Sequence, residues 1–353
     1  MKVDYHLTAS GPGLVPEAER AEQAGYQGAF IGETAHDPFI ALALPAVATS
    51  SIELGTCIAL AFARNPMTMA VVANDLHALS RGRLVLGLGS QVKAHITRRF
   101  SMPWSRPAAR MREFILAMRA IWASWDTGAP LAFTGEFYTH TLMPPFFNPG
   151  PNPYGTPKVA LAAVGAGMTE VAGEVADGLL CHGFTTERYL REVTLPAVAR
   201  GIGRSGQPRE VEISVAPFVV TGTNETEFAA AATSVRSQVA FYASTPAYRS
   251  VLELHGWGDL QSELVAMTKG GRWSELGLLI DDEMLAQFAV VGEPDQVGPM
   301  LSARFGDIAD RIALHVPYDN PAALAPGISH LLAASKQVRT RSGPASRDAV
   351  APA

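Results

Sequence analysis

The chain has 353 residues, 48% of them apolar and 17% charged, and a formal net charge of −5. That balance suits a large buried core, and without any basic run it argues against nucleic acid as a partner. No window is apolar for as long as a membrane-spanning helix requires, and the start MKVDYHLTAS lacks the basic-then-apolar order of a secretory leader, so a cytoplasmic home is expected.

In chain order, KVDYHL (2–7) reads as a strand and VPEAERAEQAG (15–25) as a helix closed by Gly25. YQGAFIG is a second strand, with the helix FIALALPAVATS (39–50) behind it. IELGTCIALA is a third, followed by PMTMAVVANDLHALS, whose Pro66 stands where helix N-termini favour proline. GRLVLGLG is a fourth, followed by the amphipathic RPAARMREFILAMRAIWASW (106–125). These strands show no polar alternation, so both faces are expected to be covered, as in a parallel sheet. Cys57 and Cys181, the two cysteines, lie in apolar runs and read as small buried hydrophobes rather than a disulfide or metal pair.

Residues 126–157, rich in proline and aromatics, break the rhythm and resemble a hairpin or excursion. The alternation then resumes: KVALAAVG, MTEVAGEVA, DGLLCHG, TTERYLREVTLPAVARGIG, EVEISVAPFVVTG and NETEFAAAATSVRSQVAFYA. A second excursion covers about 241–290, and the helix PDQVGPMLSARFG, the strand DRIALHVPY and the helix PAALAPGISHLLAASKQV close the pattern. Eight strands alternating with helices predict an α/β fold, a (β/α)₈ TIM barrel with insertions near its C-terminal face. A doubly wound sheet is the weaker fit, because LTASGPG after the first strand is not a dinucleotide fingerprint. One domain is expected over 1–337, with a disordered tail at 338–353.

Barrel sites lie beyond the C-terminal ends of the strands. Those positions hold His6 and Thr8; Glu33, Thr34, His36 and Asp37; ARNP; Ser90, Gln91 and His95; VGAGMTE; His182; and His315 with Tyr318. No H-x-H, H-E-x-x-H or Cys-His spacing occurs, so no metal is expected. His77 and His330 read as helix residues, while His140 and His255 stay open. In VGAGMTE, Gly165 and Gly167 allow close backbone approach and Met168 and Thr169 open a helix with unpaired amides, so the turn is either an anion site or an ordinary βα connection. GLGSQ is a second such turn, and its glycines read as room for a flat cofactor. Asp37 precedes Pro38, which favours extended geometry. Its carboxylate either caps the following helix or points across the mouth.

The stretch LGTCIALAFARNPMTMAVVANDLHALSRGRLVLGLGSQ resembles the luciferase-like monooxygenase family, and GETAHDPF and VGAGMTE resemble its coenzyme F420-dependent branch. The likeness covers about residues 1–335 and implies a (β/α)₈ barrel that forms a homodimer or homotetramer. It implies a cis peptide at Cys57–Ile58 that presses a ridge against the cofactor ring. It implies Asp37 facing that ring, Ser90, Gln91 and Val92 lining it, and Gly165, Ala166, Gly167, Met168 and Thr169 holding phosphate. GSQVKAH lacks the carboxylate found there in alcohol-oxidising members, which leaves His95 or Glu33 as substitutes. The resulting expectation is an F420-dependent oxidoreductase acting on a small molecule, with His36 or His95 managing a proton. The alternatives are an FMN-dependent monooxygenase using reduced flavin and oxygen, and a barrel that binds without turnover.

Overall fold

A computed structural model describes residues 1–341, with side chains to residue 337. Eight strands form its barrel: β1 (Lys2–His6), β2 (Gly28–Ile31), β3 (Glu53–Thr56), β4 (Leu84–Gly89), β5 (Lys158–Ala163), β6 (Gly178–Cys181), β7 (Glu212–Val215) and β8 (Arg311–Ala313). Every barrel pairing is parallel, and the ring closes where β1 meets β8, with Val3 opposite Ile312. The TIM barrel read from eight strands alternating with helices is therefore the observed fold. All six residues of β4 are buried, as expected of a strand covered on both faces.

The surrounding helices are α1 (Leu14–Ala24), α2 (Pro38–Ala48), α3 (Pro66–Leu79), α4 (Pro107–Thr127), α5 (Ala166–Val175), α6 (Leu195–Ser205), α7 (Pro294–Phe305) and α8 (Pro321–Arg341). Asn65 caps α3 by accepting from the Thr68 amide, and Pro66 occupies the first turn. Arg83, in the LSRGR stretch, donates to the Ala46, Thr49 and Ile52 carbonyls and to Thr49 Oγ1. A cation is thereby set on the unpaired carbonyls at the C-terminus of α2. Among the described residues no helix is long and apolar enough to cross a membrane.

Side chains two apart on a strand face the same side, and this alternation layers the lumen. At its N-terminal end Arg311 binds both Asp4 oxygens (2.8 and 2.7 Å), Glu53 and Glu212, and Lys2 joins the two glutamates. Above it Phe30, Val85, Ala160 and Leu180 pack together with Ile58 and Ala162 against them. Gly55 leaves the space that the Phe30 ring fills, and Gly28 leaves room for the Arg311–Asp4 pair and the edge of that ring.

The first excursion contains the antiparallel pair Phe133–Thr134 and Thr139–His140. Glu113 on α4 accepts from the amides of Glu136, Phe137 and Tyr138 in the turn of that hairpin. The second excursion, read as irregular, is largely helical: Arg249–Leu254, Gly258–Lys269 and Asp282–Phe288 follow the long helix Glu225–Ala243. Gly256, Gly270 and Gly271 separate these helices and break any continuous apolar period across the stretch. A strand, Ala289–Val291, then pairs in parallel with Phe218–Val220 beyond β7. In the segment read as a tail, residues 338–341 continue the backbone of α8, and the remainder lies outside the described residues.

Candidate active site

The β1 loop is anchored by the buried Glu17, which accepts from the Thr8 and Ala9 amides, from Thr8 Oγ1 and from the Tyr5 hydroxyl. Beyond β3, the peptide bond Cys57–Ile58 is cis, at the position the family resemblance implies. The chain here stands close to its neighbours: the Cys57 amide donates to the Ile31 carbonyl at 2.7 Å, and a Cβ at Gly32 would lie 3.1 Å from the Cys57 carbonyl oxygen. Solvent reaches Cys57, yet protein surrounds its thiol, and burial pushes it up to about 11. The thiol is protonated near neutral pH.

The same bulge explains the β4 glycines, and this corrects the sequence reading. A Cβ at Gly87 would overlap the Thr56 carbonyl oxygen, and one at Gly89 would overlap the Ile58 side chain. Gly87 and Gly89 make room for the neighbouring strand, not directly for a cofactor. The polar step follows them. Gln91 adopts φ +58°, uncommon for a residue with a side chain, and folds its Oε1 onto the Val92 amide at 2.9 Å. Ser90 Oγ donates to the Gln91 carbonyl.

Glu33 and Asp37 are both held by hydrogen bonds and by Arg64. The Glu33 amide donates to the Ile58 carbonyl, and Glu33 Oε2 accepts from the Leu60 amide (2.8 Å) and Arg64 Nη1 (2.6 Å). Glu33 thus clamps the bulge at both ends. Asp37 Oδ1 caps α2 by accepting from the Phe39 and Ile40 amides, and Oδ2 accepts from Arg64 Nη2 at 2.7 Å. Both of its oxygens are engaged, Oδ1 by its own helix and Oδ2 by Arg64 from the β3 loop, so the capping alternative describes the contacts of Oδ1. Arg64 spans both acids beside the Phe39 ring. Burial opposes its charge, but Glu33 and Asp37 outweigh that and hold its pKa above the ordinary range.

His36 and His95 are exposed on the β2 and β4 loops, and Arg99 joins those loops by donating to the Thr34 carbonyl at 2.6 Å. Neither imidazole has a hydrogen-bond partner among the described residues. Arg64 and Arg99 were not singled out from sequence. ARNP marked the right loop, but the partners of Arg64 lie 27 and 31 residues away, which spacing alone does not reveal.

Gly165 is the N-cap of α5 and offers no capping side chain. A Cβ at Gly165 or Gly167 would meet no atom within 4 Å, so open space adjoins the first amides of the helix. This cradle fits a phosphate. Ala166 and Met168 lie in the same turn, whereas the buried Thr169 turns its hydroxyl back to the Gly165 carbonyl at 3.1 Å. His77 is buried, with Nε2 3.4 Å from the Tyr154 carbonyl oxygen, and His255 sits 2.8 Å from Thr186 Oγ1. Among the described residues no group of three or more His, Cys, Asp or Glu side chains is placed to hold a metal ion.

The profile of the luciferase-like monooxygenase family matches residues 4–310. The chain belongs to that family. Membership places it among oxidoreductase enzymes. An uncharacterized protein of Mycobacterium tuberculosis is 54% identical over 313 residues, covering 88% of this chain and 92% of its own length. The F420-dependent glucose-6-phosphate dehydrogenase of Intrasporangium calvum is 30% identical over 232 residues, covering 60% of this chain and 66% of its own. The structure of the coenzyme F420 dependent tetrahydromethanopterin reductase from Methanopyrus kandleri superposes with a TM-score of 0.72 at 19% identity, covering 94% of this chain and 95% of that one.

Proposed function

We propose that the chain is a coenzyme F420-dependent oxidoreductase that exchanges a hydride with a small organic substrate. The observation that carries this reading is the open, uncapped turn at Gly165–Gly167, which faces the same mouth as the bulge at Cys57–Ile58. The likeness to an F420-dependent dehydrogenase supports the choice of cofactor. Gly165, Ala166, Gly167 and Met168 would hold phosphate through their backbone, and Cys57, Ile58, Ser90, Gln91 and Val92 would border the ring. When bound, F420 supplies two-electron hydride chemistry. The chain's own part is to hold the bulge through Glu33 and Arg64 and to balance the hydride with a proton at His36 or His95. Imidazole is the side chain suited to that exchange near neutral pH. Asp37 serves this reading indirectly, by fixing the start of α2 and Arg64.

Titration of the purified full chain with F420 and with FMN, followed by fluorescence quenching, tests the proposal. Tighter binding of F420 is expected. Comparable or tighter binding of FMN, together with oxygen consumption fed by reduced flavin, would favour the FMN-dependent monooxygenase instead.

A further inference from the structure

Three histidines sit at the barrel mouth outside the roles described so far. Their places in the barrel bring them together. His6 follows Asp4 by two, His182 follows Leu180 by two, and His315 follows Arg311 by four. His6 ends β1, where it shares the face of Asp4, and His182 and His315 follow β6 and β8 closely enough that His6 acts on His315 and His315 on His182, so the three imidazoles cluster at the barrel mouth. The second excursion supplies a wall beside them. The His182 ring lies 4.6 Å from Tyr242 and 4.9 Å from Tyr248, and His315 lies 6.0 Å from Tyr242.

The polar atoms of this wall are unspent. His182 Nδ1 accepts from the Phe184 amide at 3.0 Å, which leaves Nε2 as the N–H with no partner. The Tyr242 and Tyr248 hydroxyls, His6 and His315 have no hydrogen-bond partner among the described residues, and none of their polar atoms is sealed from solvent. Ionic groups are scarce. Burial, and then the neighbouring imidazole, pushes both His182 and His315 down to about 4, while Glu17 is the one ionic side chain acting on His6. Burial pushes Tyr248 up to about 12 and raises Tyr242. Near neutral pH the wall is therefore uncharged, aromatic, and furnished with both donors and acceptors.

We infer that this wall is the substrate-recognising half of the site and that it takes a planar, uncharged ring bearing hydroxyl, carbonyl or ring-nitrogen groups. An anionic sugar phosphate would find no cation here to offset its desolvation, whereas a flat ring gains stacking on Tyr248 and His182 and pairs their unspent polar atoms. The inference rests on the proposed redox function and specifies its substrate class.

The test titrates 2-naphthol, a flat neutral ring with one hydroxyl, and glucose 6-phosphate into the full chain by calorimetry, with and without F420. Wild type is expected to bind 2-naphthol at least about tenfold more tightly, and Tyr248→Leu to lose about tenfold while its melting curve and F420 quenching stay unchanged. Equal or tighter binding of glucose 6-phosphate, or unchanged 2-naphthol affinity in folded Tyr248→Leu, overturns the inference. If Tyr248→Leu fails to fold, His182→Asn and the wild-type preference between the two probes decide the matter. A protein that prefers 2-naphthol but binds no F420 overturns the cofactor reading and upholds the wall. F420 binding without that preference does the reverse.

Discussion

At the scale of single residues, the neutral imidazoles carry a cost that pH exposes. His182 and His315 are pushed down to about 4, against an ordinary value of 6.5. Between those values the unfolded chain binds more protons than the folded one, so stability rises with pH across the window and falls as the solution is acidified. The loss begins as pH drops through about 6.5 and is complete near 4. Glu22 acts lower down. Burial opposes its charge, but the Ser50, Ser51 and Ile52 amides and the Ser51 hydroxyl outweigh it and hold the carboxyl at about 2. Its stabilisation is lost only below the ordinary glutamate range. Urea unfolding at several pH values should therefore show a midpoint that declines from neutral to pH about 4.5, and His315→Asn should flatten that decline. A variant that follows wild type throughout would mean that His315 titrates alike in both states.

At the scale of elements, two glycine pairs that look alike in sequence separate by what a Cβ would meet. Gly87→Ala drives a methyl into the Thr56 carbonyl oxygen and against Leu180, both fixed by the barrel. Such overpacking costs roughly 1–3 kcal/mol, so an earlier melt is expected. Gly165→Val enters open space at φ −75°, which valine tolerates, so it should melt like wild type and lose F420 affinity. Unchanged affinity in folded Gly165→Val would return that turn to the scaffold. The contrast also marks where the sequence was legible. Apolar runs such as LVLGLG, and the alternation of short strands with helices around them, revealed the eight barrel strands, and family-like residues located the bulge at Cys57–Ile58. A glycine, however, reads the same whether a ligand or a neighbouring strand needs its space. The duties of Glu33 and Arg64 were hidden for a related reason: their contacts join loops that only barrel closure brings together. The helices of the second excursion were hidden because Gly256, Gly270 and Gly271 break the stretch between them into pieces with no continuous period.

At the scale of the whole molecule, the barrel has a sealed end, an open end and one unusual flank. Arg311 seals the N-terminal end by tying β8 to β1, β3 and β7, and the mouth opens opposite. The flank is α2, PFIALALPAVA, which has no charged residue and leaves Ile40, Leu44 and Val47 exposed at 78%, 52% and 62%. Their spacing, i, i+4 and i+7, aligns them as one stripe. On the neighbouring α3, Val71 and Leu79 are also exposed. A contiguous apolar face of this kind marks an interaction surface. Its occupant is expected to be a second copy of the chain. An uncharged stripe offers nothing for a charged partner to match, whereas a two-fold axis can lay it against itself. An eleven-residue helix is only about 16 Å long, so α3 must join to approach the roughly 800 Å² per partner of a stable interface. Sedimentation velocity should then show a dimer or larger assembly for wild type. Leu44→Glu, which places charge in the middle of the stripe, should yield a folded monomer with an unchanged far-ultraviolet spectrum. A wild-type chain that sediments as a monomer at micromolar concentration, or a Leu44→Glu chain that still assembles, would assign the stripe to some other use.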